Sequence, residues 1–181
     1  MNKYIHAAYC VPCGVIKMAW TKLFHMTGFK GPWISMVSLL TEISLDYGGK
    51  LEIGEKLKMR DGAKLRVRKG ANCKIGRNLS IGCNSMIVCR EKIIIGNGVQ
   101  LASNVQIYDH DHDFRVEGGI WAGKYKTESV EIGNNVWVGA NTVILRGTKI
   151  GDNAVIGAGS IVKGSIPAGA VLIQKRVNEI R

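Results

Sequence analysis

The chain has 181 residues, of which 46% are apolar and 22% are charged, and its net charge is +11. This balance excludes a disordered chain, and the length allows one domain of ~150 residues plus an appendage. The longest apolar run, Trp33 to Leu40, is much shorter than the ~20 residues that a membrane-spanning helix needs. No clean apolar core of a secretory signal follows Lys3, so we expect a cytoplasmic protein.

Residues 3–26 combine apolar side chains with lysines in a weakly amphipathic pattern, which predicts a helix broken by Pro12 and Gly14. Two roles fit such a helix. It could cover the open end of the domain that follows, or it could make a basic, amphipathic contact with a membrane surface. The nearby pair Cys10 and Cys13 has the spacing of a redox or zinc motif, but a zinc site needs a second pair. With five cysteines in total and no signal, we expect reduced thiols and no metal.

The stretch from Lys50 to Lys92 holds twelve of the 25 basic residues and only four acidic ones. A basic patch of this kind suits phosphates, an acidic glycan or an anionic bilayer, and a merely solvated face explains it equally well. We expect no nucleic-acid partner.

An aliphatic residue recurs every six positions along most of the chain, and this period predicts the fold. A ragged start at Ile53 and Met59 is followed by regular rows, which are Ile75, Ile81, Ile87, Ile95, Leu101, Ile107, Ile132, Val138, Ile144, Ile150, Ile156 and Val162. An α-helix cannot keep such a row on one face, because six residues advance it by about one and two-thirds turns. A short strand and a corner in every six residues do explain the row. Three such sides predict a triangular solenoid whose coils have eighteen residues, or twenty where a corner bulges.

The period breaks once, between Ile107 and Ile132, where a long excursion contains the sequence Asp-His-Asp-His-Asp from residue 109. Long excursions from a regular scaffold are often functional. His110 and His112 are candidates for a general base, and Asp109, Asp111 or Asp113 could orient the ring. Alternation along an extended segment sends neighbouring side chains to opposite faces, which disfavours a metal site built from them. A solvated polar loop is the alternative interpretation.

The segments Ile132-Gly-Asn-Asn-Val-Trp-Val-Gly-Ala-Asn and Ile150-Gly-Asp-Asn-Ala-Val-Ile-Gly-Ala-Gly-Ser-Ile-Val closely resemble the hexapeptide-repeat acyltransferases. Within that superfamily they resemble the branch of galactoside, maltose and capsular-polysaccharide O-acetyltransferases. The resemblance covers roughly residues 43–181. It implies an all-β chain that forms a left-handed parallel β-helix and assembles as a homotrimer.

The resemblance also implies site residues. The family's catalytic histidine lies five positions past the inward aliphatic residue, which selects His112, with His110 as the runner-up. Acetyl-CoA is the implied co-substrate. The residues implied to bind it are Ala140 and Ala158 along the groove, and Lys163, Gly164 and Arg181 at its head group.

Two of the implied binding sites depart from the family pattern or are weakly placed. Gln174 to Val177 replace the family's Gly-Asn-Pro-Ala ending, so Lys175 and Arg176 are alternative phosphate contacts. Asn84 is the nearest match to the acceptor-binding asparagine, with a register uncertain by about two residues.

These expectations combine into one prediction of organisation and activity. Residues 1–42 form a helical cap, residues 43–166 form the β-helix with its excursion at 108–130, and residues 167–181 form a tail. We expect an acetyl-CoA-dependent O-acetyltransferase that acts on a sugar hydroxyl in surface-polysaccharide biosynthesis. The alternatives are transfer to a nucleotide-sugar amine or to a small amino acid such as serine, and a solenoid without catalysis.

Overall fold

The computed structural model describes residues 3–175, with side chains from residue 8 onward. The chain begins with one long helix, α1 (Lys3–Phe24), which is continuous through Pro12 and Gly14. The expected break at these residues is therefore wrong. Pro12 is exposed, and the absence of a side chain at Gly14 lets the helix approach the backbone oxygen of Ser35. Packing against the rest of the chain outweighs the low intrinsic helix propensity of both residues.

Apart from one hairpin described below, the strands that follow form three parallel sheets, and each coil takes one strand from each sheet except where sheet C has one strand fewer. Sheet A contains, in spatial order, β1 (Phe29–Lys30), β4 (Lys50–Ile53), β7 (Asn72–Ile75), β10 (Lys92–Ile95), β15 (Val130–Ile132), β18 (Lys149–Ile150) and β21 (Ser165–Ile166). Sheet B contains β2 (Met36–Val37), β5 (Lys58–Met59), β8 (Ser80–Ile81), β11 (Gln100–Leu101), β16 (Trp137–Val138), β19 (Val155–Ile156) and β22 (Val171–Leu172). Sheet C contains β3 (Glu42–Leu45), β6 (Lys64–Val67), β9 (Met86–Cys89), β12 (Gln106–Tyr108), β17 (Val143–Ile144) and β20 (Ile161–Val162).

The described part of the chain is thus a three-sided parallel β-solenoid of about six coils, and the repeat-based prediction of its fold class is confirmed. Along sheet A, Ile53, Ile75, Ile95, Ile132 and Ile150 lie in successive register. The aliphatic residues of the predicted rows are all buried and form one core that runs the length of the solenoid. Each coil buries the inner side chains of its neighbours, which explains why the six-residue period is so strict.

The solenoid is longer than the sequence period indicates. Strand β1 pairs with β4, and β22 pairs with β19, so solenoid strands lie both before residue 43 and after residue 166. The first coil escaped detection because its buried side chains Phe29, Val37 and Leu45 are eight residues apart rather than six. Met18 of α1 joins the same core, so the helix packs against this first coil. The division into domains stays a prediction.

The corners show why glycine follows so many inward aliphatic residues. Gly133 and Gly151 do not have positive φ; instead, a Cβ at Gly133 would lie 2.7 Å from the backbone nitrogen of Asp152 in the next coil. Left-handed backbone occurs two residues later, at Asn135 and Asn153. The glycine therefore permits close stacking of coils, and asparagine makes the turn.

Among the described residues, no helix has both the length and the apolar character needed to span a bilayer.

Candidate functional site

The excursion begins with a two-stranded antiparallel hairpin formed by β13 (His110–His112) and β14 (Tyr125–Thr127). His112 lies opposite Tyr125, and Asp111 lies opposite Lys126. Alternation along β13 places both histidines on one face, and the ring of Tyr125 contacts both, with centroids 5.5 Å from His110 and 4.6 Å from His112. Both candidate bases therefore contact the same aromatic ring. A short 3₁₀ helix, Gly119–Ala122, lies in the loop between the strands.

Asp109 is fully buried where the chain leaves strand β12. Its carboxylate accepts hydrogen bonds from the backbone N–H groups of Arg90, Glu91 and Lys92, at 2.8–3.0 Å. Oδ1 also lies 2.9 Å from Nδ1 of His110. Burial alone would raise the pKa of this carboxyl, but the hydrogen bonds from His110 and from the amides of Glu91 and Arg90 outweigh burial and lower the pKa. The surroundings of Asp109 therefore favour the ionised form of its carboxyl group.

The imidazole of His110 is oriented on several sides. Its side chain is only 11% exposed, and Tyr108 makes an edge contact with it at 5.8 Å. Donation from Nδ1 to Asp109 leaves Nε2 with a lone pair, which is the tautomer that a general base requires. His112, by contrast, is exposed.

A positively charged side chain lies close to the ring of Tyr125. The guanidinium of Arg90 lies 3.5 Å from the ring centroid of Tyr125, on the histidine-bearing hairpin.

Arg146 fastens the hairpin to the solenoid. It donates from Nε to Asp111 over 2.6 Å, and its Nη1 lies 3.4 Å from Glu128. Asp113 pairs instead with Lys126 at 3.2 Å. Of the three aspartates considered as orienting groups, Asp109 is the one that forms a hydrogen bond with a histidine. Asp111 and Asp113 instead form salt bridges with Arg146 and Lys126.

The other site residues predicted from the sequence lie along two different edges of the prism. The BC edge, where sheet B turns into sheet C, carries Asn84, Ala140 and Ala158. The two alanines occupy equivalent positions in successive coils, as the eighteen-residue spacing predicted, because Val138 is in register with Ile156. The CA edge, where sheet C turns into sheet A, carries the histidine hairpin.

Lys163 and Gly164 also lie at the CA edge, between β20 and β21. Lys163 is exposed, and Lys175 is exposed beyond the last strand. Arg176 and Arg181 lie outside the described residues. One chain thus brings the histidines close to none of Asn84, Ala140 and Ala158.

Sequence reasoning missed Tyr125, Arg90 and Arg146. Tyr125 contacts both histidine rings, Arg90 contacts Tyr125, and Arg146 contacts Asp111 on the same hairpin. Their positions depend on the hairpin pairing and on the stacking of coils. No cluster of three or more potential metal ligands occurs within residues 3–175.

Comparison with known proteins matches residues 129–164 to the bacterial transferase hexapeptide family, which is described as six repeats. The galactoside O-acetyltransferase of Escherichia coli K12 is 47% identical over 60 residues, which cover 33% of this chain and 27% of that protein. The putative lipopolysaccharide biosynthesis O-acetyl transferase WbbJ, also of Escherichia coli K12, is 38% identical over 80 residues, covering 40% of this chain and 41% of WbbJ. The matched segments therefore span less than half of these relatives.

A solved structure extends the likeness over nearly the whole chain. A variant of AntD, an N-acyltransferase from Bacillus cereus in complex with dTDP-4-amino-4,6-dideoxyglucose and coenzyme A, superposes with a TM-score of 0.67. The superposition covers 89% of this chain and 88% of AntD at 20% sequence identity, so it bears on the fold alone.

Proposed function

We propose that this chain belongs to the hexapeptide-repeat acetyltransferases and transfers an acetyl group from acetyl-CoA to a sugar hydroxyl in surface-polysaccharide biosynthesis. The observation that carries the proposal is the oriented Asp109–His110 pair, which leads into the excursion from a hexapeptide solenoid. The names of the two Escherichia coli relatives, one acting on galactosides and one assigned to lipopolysaccharide, support a sugar hydroxyl as the acceptor.

The proposed chemistry needs one proton acceptor and one oriented acceptor hydroxyl. Nε2 of His110 takes the hydroxyl proton as the oxygen attacks the thioester carbonyl, and the resulting imidazolium is stabilised by Asp109. The thioester bond breaks as the acetyl–oxygen bond forms, and the proton passes to the departing thiolate. The sequence ranked His112 first and His110 second. The burial of the His110 ring and its bond to Asp109 support the opposite order, which we adopt as part of the proposal.

The donor fits the BC edge because this edge exposes small side chains. Ala158 is exposed and Ala140 half-buried, so the neighbouring backbone groups stay within reach of an extended pantetheine arm. Acetyl-CoA supplies the activated acyl group. Lys163, Gly164 and Lys175 are the described candidates for contacts with its phosphates, and a lysine binds phosphate as a point charge.

The separation of the two edges supports a homotrimer. Histidines at the CA edge and alanines at the BC edge are assembled into one site only if the CA edge of one copy faces the BC edge of the next. Cyclic symmetry then repeats the same contact three times and closes the ring. Sheet B also presents Trp137 and Val171 as exposed apolar side chains in its last coils, which suits an interface between copies.

A second candidate function keeps the same donor and changes the acceptor to the amine of a nucleotide sugar. AntD, which has a similar fold at 20% identity, was crystallised with a nucleotide sugar that carries an amine, so this acceptor class is included in the test. Transfer to a small amino acid such as serine has no comparable support in the geometry.

The discriminating experiment measures thiol release from acetyl-CoA against a panel of sugars, nucleotide sugars with free amines, and small amino acids. We expect acceptor-dependent release with at least one sugar lacking an amine. Release only with amino sugars would favour the second function, and no release above the acceptor-free rate with any member of the panel would overturn the assignment as an acetyltransferase.

A further inference from the structure

The outer face of α1 is apolar although the helix already buries its opposite face. Cys10, Met18 and Thr21 face the first coil, and the side turned away carries exposed side chains. These are Tyr9, Ile16, Trp20, Leu23 and Phe24. Trp20 and Phe24 are 64% and 59% exposed and contact one another, with ring centroids 4.5 Å apart. A helix that is apolar on both sides normally has a second partner.

This face continues onto the loop after β1. Trp33 and Ile34 are both exposed there, and the Lys22 ammonium lies 3.8 Å from the ring centroid of Trp33, which joins the loop to the helix. We call the exposed residues of α1 together with Trp33 and Ile34 the N-terminal apolar surface. A cleft of about 700 Å³ opens beside it, lined among others by Val11, Trp33, Ile34, Lys56 and Lys58.

The segment that carries this surface has charge of one sign, although Glu42, Asp46 and Glu55 of the following coils line clefts beside it. Residues 1–41 contain four lysines, Lys3, Lys17, Lys22 and Lys30, and no aspartate or glutamate. A partner with an apolar interior beneath a negatively charged surface complements such a segment. Tryptophan, phenylalanine and leucine on one face with lysine at its border is the composition of helices that lie in the interface of anionic membranes.

We propose that the N-terminal apolar surface docks onto an anionic lipid bilayer, with α1 lying in the plane of the membrane. Trp20, Phe24 and Trp33 enter the headgroup region, and Lys22 and Lys30 meet anionic lipid headgroups. The active solenoid is thereby held at the membrane surface. The proposal concerns a surface distant in the chain from the histidine hairpin, so it stands or falls independently of the acetyl-transfer activity.

The test is co-flotation of the full chain with phosphatidylcholine vesicles that contain or lack phosphatidylglycerol. We expect binding to the anionic vesicles that weakens with added salt, because exposed charges are screened. The double variant Trp20→Ser/Phe24→Ser should reduce binding by about tenfold or more, since it removes two large apolar side chains from the membrane. Lys22→Gln should reduce it by roughly fivefold.

Two matched control variants distinguish binding through the N-terminal apolar surface from nonspecific binding to vesicles. Trp121→Ser removes a tryptophan that is 96% exposed on the excursion, and Lys149→Gln removes an exposed lysine of sheet A. Both should bind vesicles like the unsubstituted chain. Equal losses in the controls and the surface variants would overturn the proposal, as would no flotation of the unsubstituted chain.

Light scattering supplies the remaining outcome. If Trp20→Ser/Phe24→Ser changes the number of copies in the assembly, a second copy of the chain covers the surface and the lipid proposal is wrong. An unchanged assembly together with lost flotation supports it.

Discussion

At the scale of single residues, the decisive feature is the asymmetry between two histidines on one face of β13. His110 has an ionised, buried partner at Nδ1, whereas His112 is exposed beside Tyr125. A base gains most from a fixed orientation, because a rotating ring spends little time aligned with the acceptor. The sequence could identify both rings but could not rank them by burial.

Alanine variants of the two histidines test this ranking directly. His110→Ala should lower kcat by ~10²–10⁴, the usual contribution of a positioned general base. It should also lower the stability by about 1–3 kcal/mol, because the buried carboxylate of Asp109 loses a hydrogen bond. His112→Ala should lose clearly less activity, because its ring lacks an orienting carboxylate. Steady-state thiol release measures both, with thermal unfolding as the control for folding. A larger loss in His112→Ala would return the role of base to His112, as the sequence predicted.

Asp109 gives a prediction about pH and stability. Its pKa is lowered in the folded protein, so its stabilisation is complete above the unfolded-state pKa of about 4 and disappears as pH falls through the lower folded-state value. Asp109→Asn turns an amide NH₂ toward backbone N–H donors and should destabilise the protein by about 1–3 kcal/mol near neutral pH. Denaturant unfolding should show this difference shrinking below about pH 4.

The matched control for that experiment is Asp152→Asn. Asp152 also has a lowered pKa, because the backbone N–H of Asn134 donates to it, but it is fully exposed to solvent. Water screens its interactions, so this variant should show a much smaller pH-dependent change. Equal effects at both positions would mean that burial of Asp109 contributes little.

At the scale of secondary-structure elements, the sequence predicted the regular coils well and the irregular ones poorly. The aliphatic rows through Ile75, Ile95 and Ile132 are buried as expected, because every coil must pack its inward side chains against those of the neighbouring coils. The first coil lacks the six-residue spacing, since a loop with Gly31 and Pro32 separates its first two strands. Periodicity alone cannot detect a coil that lacks the period.

The excursion shows a second limit. The break in the repeat predicted a long excursion at this place, but it did not predict the hairpin pairing inside it. His112 pairs with Tyr125 because contacts outside these two residues fix the register of the hairpin. Arg146 donates to Asp111, and the backbone N–H of Glu128 donates to the carbonyl of Asp109. These contacts join residues that are up to 35 positions apart, and no local pattern encodes them.

At the scale of the whole molecule, the proposed site is divided between two edges of the prism. The hairpin lies at the CA edge and the alanines lie at the BC edge, so the proposal requires an active site shared between copies. Under this proposal, assembly is a condition for activity. This arrangement also permits a test that does not depend on measuring size.

Two inactive variants should restore activity when they assemble together. His110→Ala removes the base, and Ala158→Trp blocks the donor groove from an exposed position where a large ring does not disturb the core. Each variant alone should be inactive. Co-expressed and purified through two different tags, they should recover about a third of the normal activity, since every cyclic trimer that contains both variants has one site of its three with both residues intact.

The control replaces the groove variant with Ala168→Trp, an exposed alanine that follows β21 on a different edge of the prism. Alone it should stay active, which shows that a bulky ring at a corner is harmless in itself. If co-expression of His110→Ala with Ala158→Trp yields mixed assemblies by mass but no activity, the base and the groove belong to the same copy. The division of the site between neighbours would then be wrong, although the Asp109–His110 pair could still perform the chemistry within one chain.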